Sequence, residues 1–194
     1  AGLRVLMRCD FNVPFDAEGR VADDFRIRST LPTIEYILGK KGKVLLMTHV
    51  GDPNGKTKKS LLVHRIQEKI TELLDAPVIR TGDCVGKDVE KAVRTMKPGQ
   101  VLLLENLRFH KEEQGNGKKF AKQLASLGDV YVNDAFSVCH RSHASIVGVP
   151  RLLPSYAGFF LEHEIQGLER LLLHPRHPVV AVIGGKKIES KLPV

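Results

Sequence analysis

The amino-acid sequence predicts a three-layer αβα domain with a mainly parallel sheet. Short runs rich in valine and leucine alternate along the chain with longer segments in which apolar residues recur every three or four positions. These are the patterns of strands and of amphipathic helices. The short runs are apolar on both faces, which indicates a sheet that helices cover on both sides. Such a fold is Rossmann-like.

The first two elements are a strand at residues 4–7 and a helix at residues 31–41. The strand is a short apolar run that ends shortly before polar residues. Ser29 or Thr30 is the predicted cap of the helix. Pro32 then falls in the first helical turn, where its missing N–H costs no hydrogen bond.

The next four elements continue the alternation of strand and helix. A second strand is predicted at residues 43–48, followed by a helix at 61–74 that Ser60 opens and whose apolar residues recur in steps of three and four. A third strand at residues 77–80 and a helix at 86–96 complete this half of the chain.

The second half adds three further strands and two further helices. Residues 101–106 form the clearest apolar run and predict a strand, residues 118–127 a helix, and residues 129–134 a strand. A long helix is predicted at residues 160–173, and a last strand at 178–183. Glycines and the start of another helix follow this strand, so we expect the final segment to be the first piece of a second domain.

Composition limits the classes of protein to which the chain can belong. The 194 residues carry a formal charge of +8, and 42% are hydrophobic and 27% charged, as in globular proteins. No run reaches the ~18 apolar residues of a membrane span, and the first residues meet charges too soon for a signal peptide. Three scattered cysteines predict a reducing compartment, hence the cytoplasm. The basic charge favours an anionic partner: nucleic acid, a nucleotide or a phosphorylated metabolite.

Polar and cationic residues follow four of the predicted strands at their carboxyl ends. In an open parallel sheet these ends share one edge, where ligands bind, so we expect the residues to surround one pocket. Arginine forks match phosphate and carboxylate oxygens. Taken singly, the residues have plainer interpretations as turn residues, surface arginines or a structural histidine. They are Asp10, Asn12, His49, Gly51, Arg108, His110, His140, Arg141 and His143.

Two phosphate-binding patterns and one metal-binding pattern are weaker. Residues 51–57 resemble a Walker A loop, but the loop is one residue short and contains Pro53. The glycine pair before Lys187 follows a strand and precedes a helix, which suits phosphate. Cys139 and its neighbouring histidines lack a second ligand pair at usable spacing, so no metal site is expected in this chain.

Seven motifs taken together, and in order, resemble the phosphoglycerate kinase family: RCDFNVP, LPTI, MTHVGDPNG, LLLENLRFH, VNDAF, HRSHAS and VIGGKKIESK. The resemblance implies a truncated two-domain kinase. Residues 1–158 would be the amino-terminal domain that binds 3-phosphoglycerate, and residues 159–173 the interdomain helix or hinge. Residues 174–194 would begin the carboxy-terminal nucleotide-binding domain, whose remainder is absent.

The family transfers a phosphoryl group reversibly between 1,3-bisphosphoglycerate and Mg-ADP, giving 3-phosphoglycerate and Mg-ATP, in glycolysis or gluconeogenesis. The resemblance implies that Asp10 and Asn12 bind the glycerate hydroxyl and its neighbours. Arg26 would face the reacting carboxyl group or the transferred phosphoryl group, although Arg28 competes for that assignment. The rest of the substrate clamp would be His49, the backbone at Gly51, Arg108 and Arg141, supported by His140 and His143.

On the nucleotide side the resemblance implies that Lys187 and Lys191 approach the nucleotide phosphates. Arg26 and Lys191 would be the catalytic cations, with Mg²⁺ bound with ATP or ADP mainly through the absent domain. The family usually has arginine where this chain has Asp52, and a small residue where it has Lys186. We expect a monomer that binds 3-phosphoglycerate without turnover, and neither a nucleic acid nor a membrane as partner. The alternative is a non-enzymatic basic module that binds nucleic acid.

Overall fold

The computed structural model of the chain describes residues 2–74, 76–173, 175–180 and 182. Six strands form one sheet in which every neighbouring pair is parallel. They are β1 (Arg4–Cys9), β2 (Lys43–Met47), β3 (Val78–Arg80), β4 (Val101–Leu103), β5 (Val130–Asp134) and β6 (Ser155–Ala157). The strand order is β3-β4-β2-β1-β5-β6. The predicted α/β fold with a parallel sheet is confirmed.

Five α-helices of the described chain lie between strands in sequence, and a sixth follows β6. They are α1 (Phe25–Gly39), α2 (His64–Leu74), α3 (Lys87–Thr95), α4 (Lys111–Gln114), α5 (Lys118–Ala125) and α6 (Phe159–Leu173). Among the described residues, none of the helices has the length and apolar character that a membrane span requires.

The core lies on both faces of the sheet, as the two-sided apolar runs predict. Successive side chains of a strand point to opposite faces. Along β1, Val5 and Met7 pack in one buried cluster with Ile34 of α1, while Leu6 packs in another with Leu124 of α5. The central strands are therefore closed to solvent, and their carboxyl ends are the edge at which polar groups gather.

The predicted start of α1 is wrong. The helix begins at Phe25, and Ser29 and Thr30 lie inside it, where their hydroxyls donate to the carbonyl oxygens of residues 25 and 26 at 2.8 and 3.0 Å. Pro32 is consequently an interior residue of the helix. Ile27 is fully buried one turn before the predicted start, so burial of this earlier turn extends the helix beyond the capping signal.

Other elements also differ from their predicted bounds. β4 ends at Leu103, three residues earlier than predicted, and α2 begins at His64 after a separate 3₁₀ turn over Lys59–Leu61. β6 was not predicted, since it is a three-residue exposed edge strand without an apolar pattern. The predicted strand at residues 178–183 lies partly outside the described residues, and its described positions are not in a strand.

The chain divides into two compact units, residues 1–162 and 163–194. The first contains the whole sheet and α1 to α5. The second contains the later part of α6. The division falls inside the helix that the sequence predicts as interdomain helix, and the domain boundaries at residues 158 and 173 stay a prediction.

Candidate functional site

The sequence predicts a pocket at the edge of the sheet formed by the carboxyl ends of the strands, which we call the pocket edge. At this edge Asp10, which follows β1, forms an ion pair with Arg26 in the first turn of α1. The guanidinium Nη1 lies 2.6 Å from Oδ2 of Asp10 and 3.3 Å from the carbonyl oxygen of Asn12. Ser137, in the loop after β5, donates its hydroxyl to the same Asp10 oxygen. Asp10 is buried, whereas 47% of the Arg26 side chain is exposed. The carboxylate therefore holds one end of an arginine that faces solvent.

Asn12 joins this pair to the loop after β2. Its side-chain oxygen accepts the N–H of Gly51 at 2.8 Å. Gly51 has a φ of 58°, in the left-handed region that glycine adopts without strain. The structure therefore places Asp10, Asn12, Arg26 and Gly51 together, as the sequence predicts. Arg28 instead pairs at 2.9 Å with Asp24, the residue just before α1, which favours Arg26 over Arg28 as the residue that faces the pocket.

Arg108 follows β4 and reaches the same loop. Its Nη1 donates to the carbonyl oxygen of Gly51 at 2.8 Å, while its buried Nε has no hydrogen-bond partner within the described part of the chain. Asn106 holds the backbone here, because it accepts the N–H of Arg108 and donates to the carbonyl oxygens of Val50 and Leu61 at 2.8 and 3.1 Å. Burial lowers the pKa of Arg108, Asp52 raises it, and Arg141 and Arg8 lower it further.

His49 follows β2 and is buried beside Arg8. Among the described residues Arg8 forms no ion pair, but it makes three hydrogen bonds. Arg8 donates to Nδ1 of His49 at 3.1 Å, to Oγ of Ser145 at 3.0 Å and to the carbonyl oxygen of Cys9. Burial, followed by the charges of Arg8 and Arg108, lowers the pKa of His49 from 6.5 to about 2. The imidazole is therefore neutral at physiological pH.

The loop after β5 supplies Arg141 and two histidines. Arg141 and His140 are exposed, and the charge of Arg141 contributes to lowering the pKa values of His49 and Arg108. His143 is buried, and its Nδ1 has no hydrogen-bond partner among the described residues. Arg141 is therefore close enough to His49, Arg108 and His143 for its charge to lower the pKa of each. For His140 only solvent exposure is observed, so its supporting role stays a prediction.

A buried polar network behind the pocket was missed by sequence reasoning. Glu113 of α4 is fully buried and accepts from the N–H and Oγ of Ser145 at 3.0 and 2.5 Å. Because Ser145 also accepts from Arg8, this serine links a buried cation to a buried carboxylate. Nδ1 of His143 lies 3.9 Å from Glu113. The only sequence signal was a charged residue, Arg8, in an apolar strand.

The glycine-rich loop after β2 is not a Walker A loop. No helix follows it directly, since α2 begins only at His64. Its Gly55 N–H donates to the carbonyl oxygen of Arg108 at 3.1 Å. The backbone donor is used within the protein, so it cannot face a phosphate. Lys187 and Lys191 lie outside the described residues.

Cys139, His140 and His143 do not form a metal-binding group. Among the described residues, the one set of three histidine, cysteine or acidic side chains with ligand atoms within 4.8 Å of one another is Asp83, Cys84 and His110. This set joins the loop after β3 to the segment before α4. No local sequence pattern predicts it, because Cys84 and His110 are far apart in the sequence.

The pocket edge is suited to a small molecule with two anionic groups. The charges of Arg8, Arg108 and Arg141 act on the neutral imidazole of His49, and repulsion from neighbouring arginines also contributes to the lowered pKa values of Arg108 and His143. An anion would relieve that repulsion. Carboxylate and amide groups at Asp10 and Asn12 provide hydrogen-bonding partners for a hydroxyl group.

Comparisons with known proteins agree with this architecture. The family model described as phosphoglycerate kinase matches residues 1–194. A phosphoglycerate kinase of Moorella thermoacetica is 53% identical over 191 residues, which is 98% of this chain and 48% of that protein. Another, of Pelotomaculum thermopropionicum, is 49% identical over 193 residues, 100% of this chain and 49% of the relative.

Solved structures give the same result. The phosphoglycerate kinase of Pyrococcus horikoshii matches with a TM-score of 0.88 at 34% identity, and that of Coxiella burnetii with a TM-score of 0.83 at 35% identity. Each match covers 98% of this chain and 48% of the solved chain. The chain spans about half the length of the relatives it matches.

Proposed function

Because the chain belongs to the phosphoglycerate kinase family, we propose that its described domain is the half of such an enzyme that binds 3-phosphoglycerate and 1,3-bisphosphoglycerate. The complete enzyme would transfer a phosphoryl group reversibly between 1,3-bisphosphoglycerate and ADP, in cytoplasmic glycolysis or gluconeogenesis. This chain, which spans about half the length of its relatives, would bind 3-phosphoglycerate as a monomer without turning it over.

The observation that carries the proposal is the incompletely balanced positive charge around Arg108. This arginine is buried, and its Nε has no hydrogen-bond partner among the described residues. Burial and the nearby charges of Arg141 and Arg8 lower its pKa, and the charge of Asp52 opposes them only in part. Building such a site costs stability, because like charges repel and a buried donor lacks its hydrogen bond. A ligand with a phosphate and a carboxylate offsets both costs.

The proposed roles follow from the contacts. Arg26, held at one end by Asp10 and otherwise exposed, is placed to reach the reacting carboxyl group and to neutralise charge that spreads over the phosphoryl oxygens during transfer. His49 would donate from Nε2. Arg108 and Arg141 would hold the phosphate, with His143 adding to the field. Asp10 and Asn12 would orient the substrate hydroxyl.

The nucleotide side remains an inference from the family. Lys187 and Lys191 would approach the nucleotide phosphates, and Lys191 would act with Arg26 as a catalytic cation. Mg²⁺ would enter with ATP or ADP and balance phosphate charge. The donors around the described pocket are mainly nitrogen, which does not suit Mg²⁺, and this fits a magnesium site held elsewhere.

Thermal denaturation with and without millimolar 3-phosphoglycerate tests the proposal. We expect the ligand to raise the melting temperature, because it binds the folded state only. Arg26→Ala and Arg108→Ala should abolish the rise. Arg28→Ala is the matched control: Arg28 lies two positions away on the same helix but pairs with Asp24, and its variant should keep the rise.

Three results would contradict the proposal. One is the absence of a melting-temperature rise, and another is an equal loss of the rise in the Arg28→Ala control. The third is a larger stabilisation by an oligonucleotide that added salt removes, which would favour the nucleic-acid-binding alternative. Substantial turnover by this chain in a coupled assay of ADP formation would contradict only the statement that it is inactive alone.

A further inference from the structure

Three side chains with different donor atoms meet after the carboxyl ends of β3 and β4, at one end of the strand order. The sequence predicts one of them, His110, at the substrate pocket, but its described side-chain contacts are with Asp83 and Phe120. Asp83 and Cys84 lie in the loop between β3 and α3, and His110 lies between β4 and α4. A carboxylate oxygen, the Sγ atom and a ring nitrogen from these residues lie within 4.8 Å of one another. Cys84 is fully buried, His110 is half-buried and Asp83 is exposed. The cluster therefore opens to solvent on one side.

The carboxylate of Asp83 is shared by the other two members. Nε2 of His110 lies 2.7 Å from its Oδ1, and the backbone N–H of Cys84 donates to the same oxygen at 2.6 Å. The Sγ atom of Cys84 lies within 4.8 Å of a carboxylate oxygen of Asp83 and of a ring nitrogen of His110. The thiol and the imidazole can each exchange a proton for a bond to a metal ion. The hydrogen bond between His110 and Asp83 explains why these two side chains lie together, but it does not explain why the thiol of Cys84 lies beside them.

The loop that carries the cluster is held in place by its backbone. The carbonyl oxygen of Asp83 accepts from Oγ1 of Thr81 at 2.6 Å and from the N–H of Glu105 at 3.4 Å. The N–H of Cys84 donates to Oδ1 of Asp83 at 2.6 Å. On the other side, the ring of His110 stacks on Phe120, with centroids 5.1 Å apart. The donors are consequently ordered before any ion arrives.

The donor set selects a class of metal. One sulfur, one nitrogen and one oxygen suit Zn²⁺ and the similar ion Co²⁺, whereas Mg²⁺ and Ca²⁺ prefer oxygen alone. Zinc–ligand lengths correspond to distances of about 3.3 to 3.6 Å between neighbouring ligand atoms in a tetrahedral site. In the structure the three ligand atoms lie within 4.8 Å of one another, and Nε2 of His110 lies 2.7 Å from Oδ1 of Asp83. A thiolate and a carboxylate would also neutralise a divalent cation.

We propose that Asp83, Cys84 and His110 form a binding site for a divalent ion of the zinc class, with water in the fourth coordination position. Binding forms a sulfur–metal bond and a bond from Nε2 of His110 to the metal. It breaks the S–H bond of Cys84 and the Nε2–H bond of His110 and releases both protons to solvent, while the imidazole keeps its proton on Nδ1. No oxidation takes place. The proposal departs from the sequence-based expectation of no metal in this part of the chain, and it is independent of the proposed substrate.

Cobalt titration of the chelator-treated, fully reduced chain tests the site. We expect one Co²⁺ per chain, a thiolate-to-cobalt charge-transfer band, and displacement by Zn²⁺. Cys84→Ala should abolish the band. Cys139→Ser is the matched control, since Cys139 is an exposed free cysteine whose variant should keep the band and the affinity.

Variants at the cluster's exposed side give an independent measurement. Asp83→Asn and His110→Gln should each weaken Zn²⁺ binding by at least about tenfold, as loss of a supporting or direct ligand does. They serve as the test if Cys84→Ala fails to fold. Absence of saturable binding, a band that survives Cys84→Ala or is lost in Cys139→Ser, or unchanged affinity in both surface variants would overturn the proposal.

Discussion

Arg8 donates a hydrogen bond from its guanidinium group to Nδ1 of His49 across 3.1 Å. Because arginine has no acceptor, Nδ1 must be unprotonated and the ring proton lies on Nε2. Arg8 is fully buried and belongs to β1, whereas His49 follows β2. The contact therefore joins two central strands and determines which atom of the histidine can donate to a ligand.

The first prediction concerns the pH dependence of stability. Burial and the neighbouring charges lower the pKa of His49 from 6.5 to about 2, so the unfolded chain binds a proton that the folded chain does not. The free energy of unfolding should then fall as pH decreases below 6.5, by at most about 1.4 kcal/mol per pH unit from this group. Urea unfolding between pH 7 and pH 5 measures the slope.

His49→Gln should have a smaller slope over that range, because it lacks the titrating group. His163→Gln is the control, since His163 is exposed and its variant should keep the slope of the original chain. Equal slopes in the original chain and His49→Gln would show that protonation of His49 does not limit stability.

The second prediction concerns the buried carboxylate of Glu113. Glu113→Gln keeps the size of the side chain but removes the negative charge that is linked to Arg8 through Ser145. It also replaces one of the two carboxylate oxygens that accept hydrogen bonds from Ser145 with an amide NH₂ group. We expect a loss of about 3 kcal/mol in the free energy of unfolding, measured in urea. Glu112→Gln changes the neighbouring exposed residue and should cost less than about 0.5 kcal/mol. Similar losses of stability in the two variants would show that the charge of Glu113 does not stabilise the buried network.

The third prediction concerns Asn106, which ties the loop after β2 to the segment after β4. Asn106→Ala leaves the buried carbonyl oxygen of Val50 and the N–H of Arg108 without this partner. We expect destabilisation by about 2 kcal/mol and a weaker melting-temperature response to 3-phosphoglycerate. Gln123→Ala, at an exposed position of α5, should affect neither. An unchanged ligand response in Asn106→Ala would mean that the loop is positioned without this side chain.

The fourth prediction concerns Asp52, an acidic residue in the loop that contains Gly51. Its carboxylate accepts from Gln114 at 3.3 Å, and its charge raises the pKa of Arg108. Asp52→Asn removes an anion near the proposed anion site, so the affinity for 3-phosphoglycerate should increase about two- to fivefold at low salt and less at high salt. Isothermal titration calorimetry measures it.

Glu72→Gln makes the same change of charge near the end of α2, which leads back to the amino end of β3 and so to the opposite edge of the sheet. Its affinity should equal that of the original chain. An equal gain in both variants would indicate a general effect of net charge, and no gain in Asp52→Asn would mean that Asp52 is too far from the ligand.

The alternation of apolar runs with segments of helical periodicity was enough to predict the sheet. Strands and helices that bury apolar side chains have characteristic spacings of apolar residues along the chain. The pattern failed at the start of α1, where the burial of Ile27 outweighed the capping signal at Ser29 and Thr30. It also failed at β6, since an exposed edge strand of three residues needs no apolar pattern. The sequence predicted Asp10, His49 and Arg108 as one group because their strands end at one edge, whereas Arg26 was assigned through the family resemblance alone.

By itself, the order of residues determined the fold class, the edge of the sheet at which polar residues gather and the family, because strand polarity and motif order are properties of the linear chain. Only the tertiary structure decided which partners these residues have. The link from Arg8 through Ser145 to Glu113, and the meeting of Asp83 and Cys84 with His110, join residues far apart in sequence. Such contacts depend on how the layers pack, and no local pattern encodes the distance between two side chains on different loops.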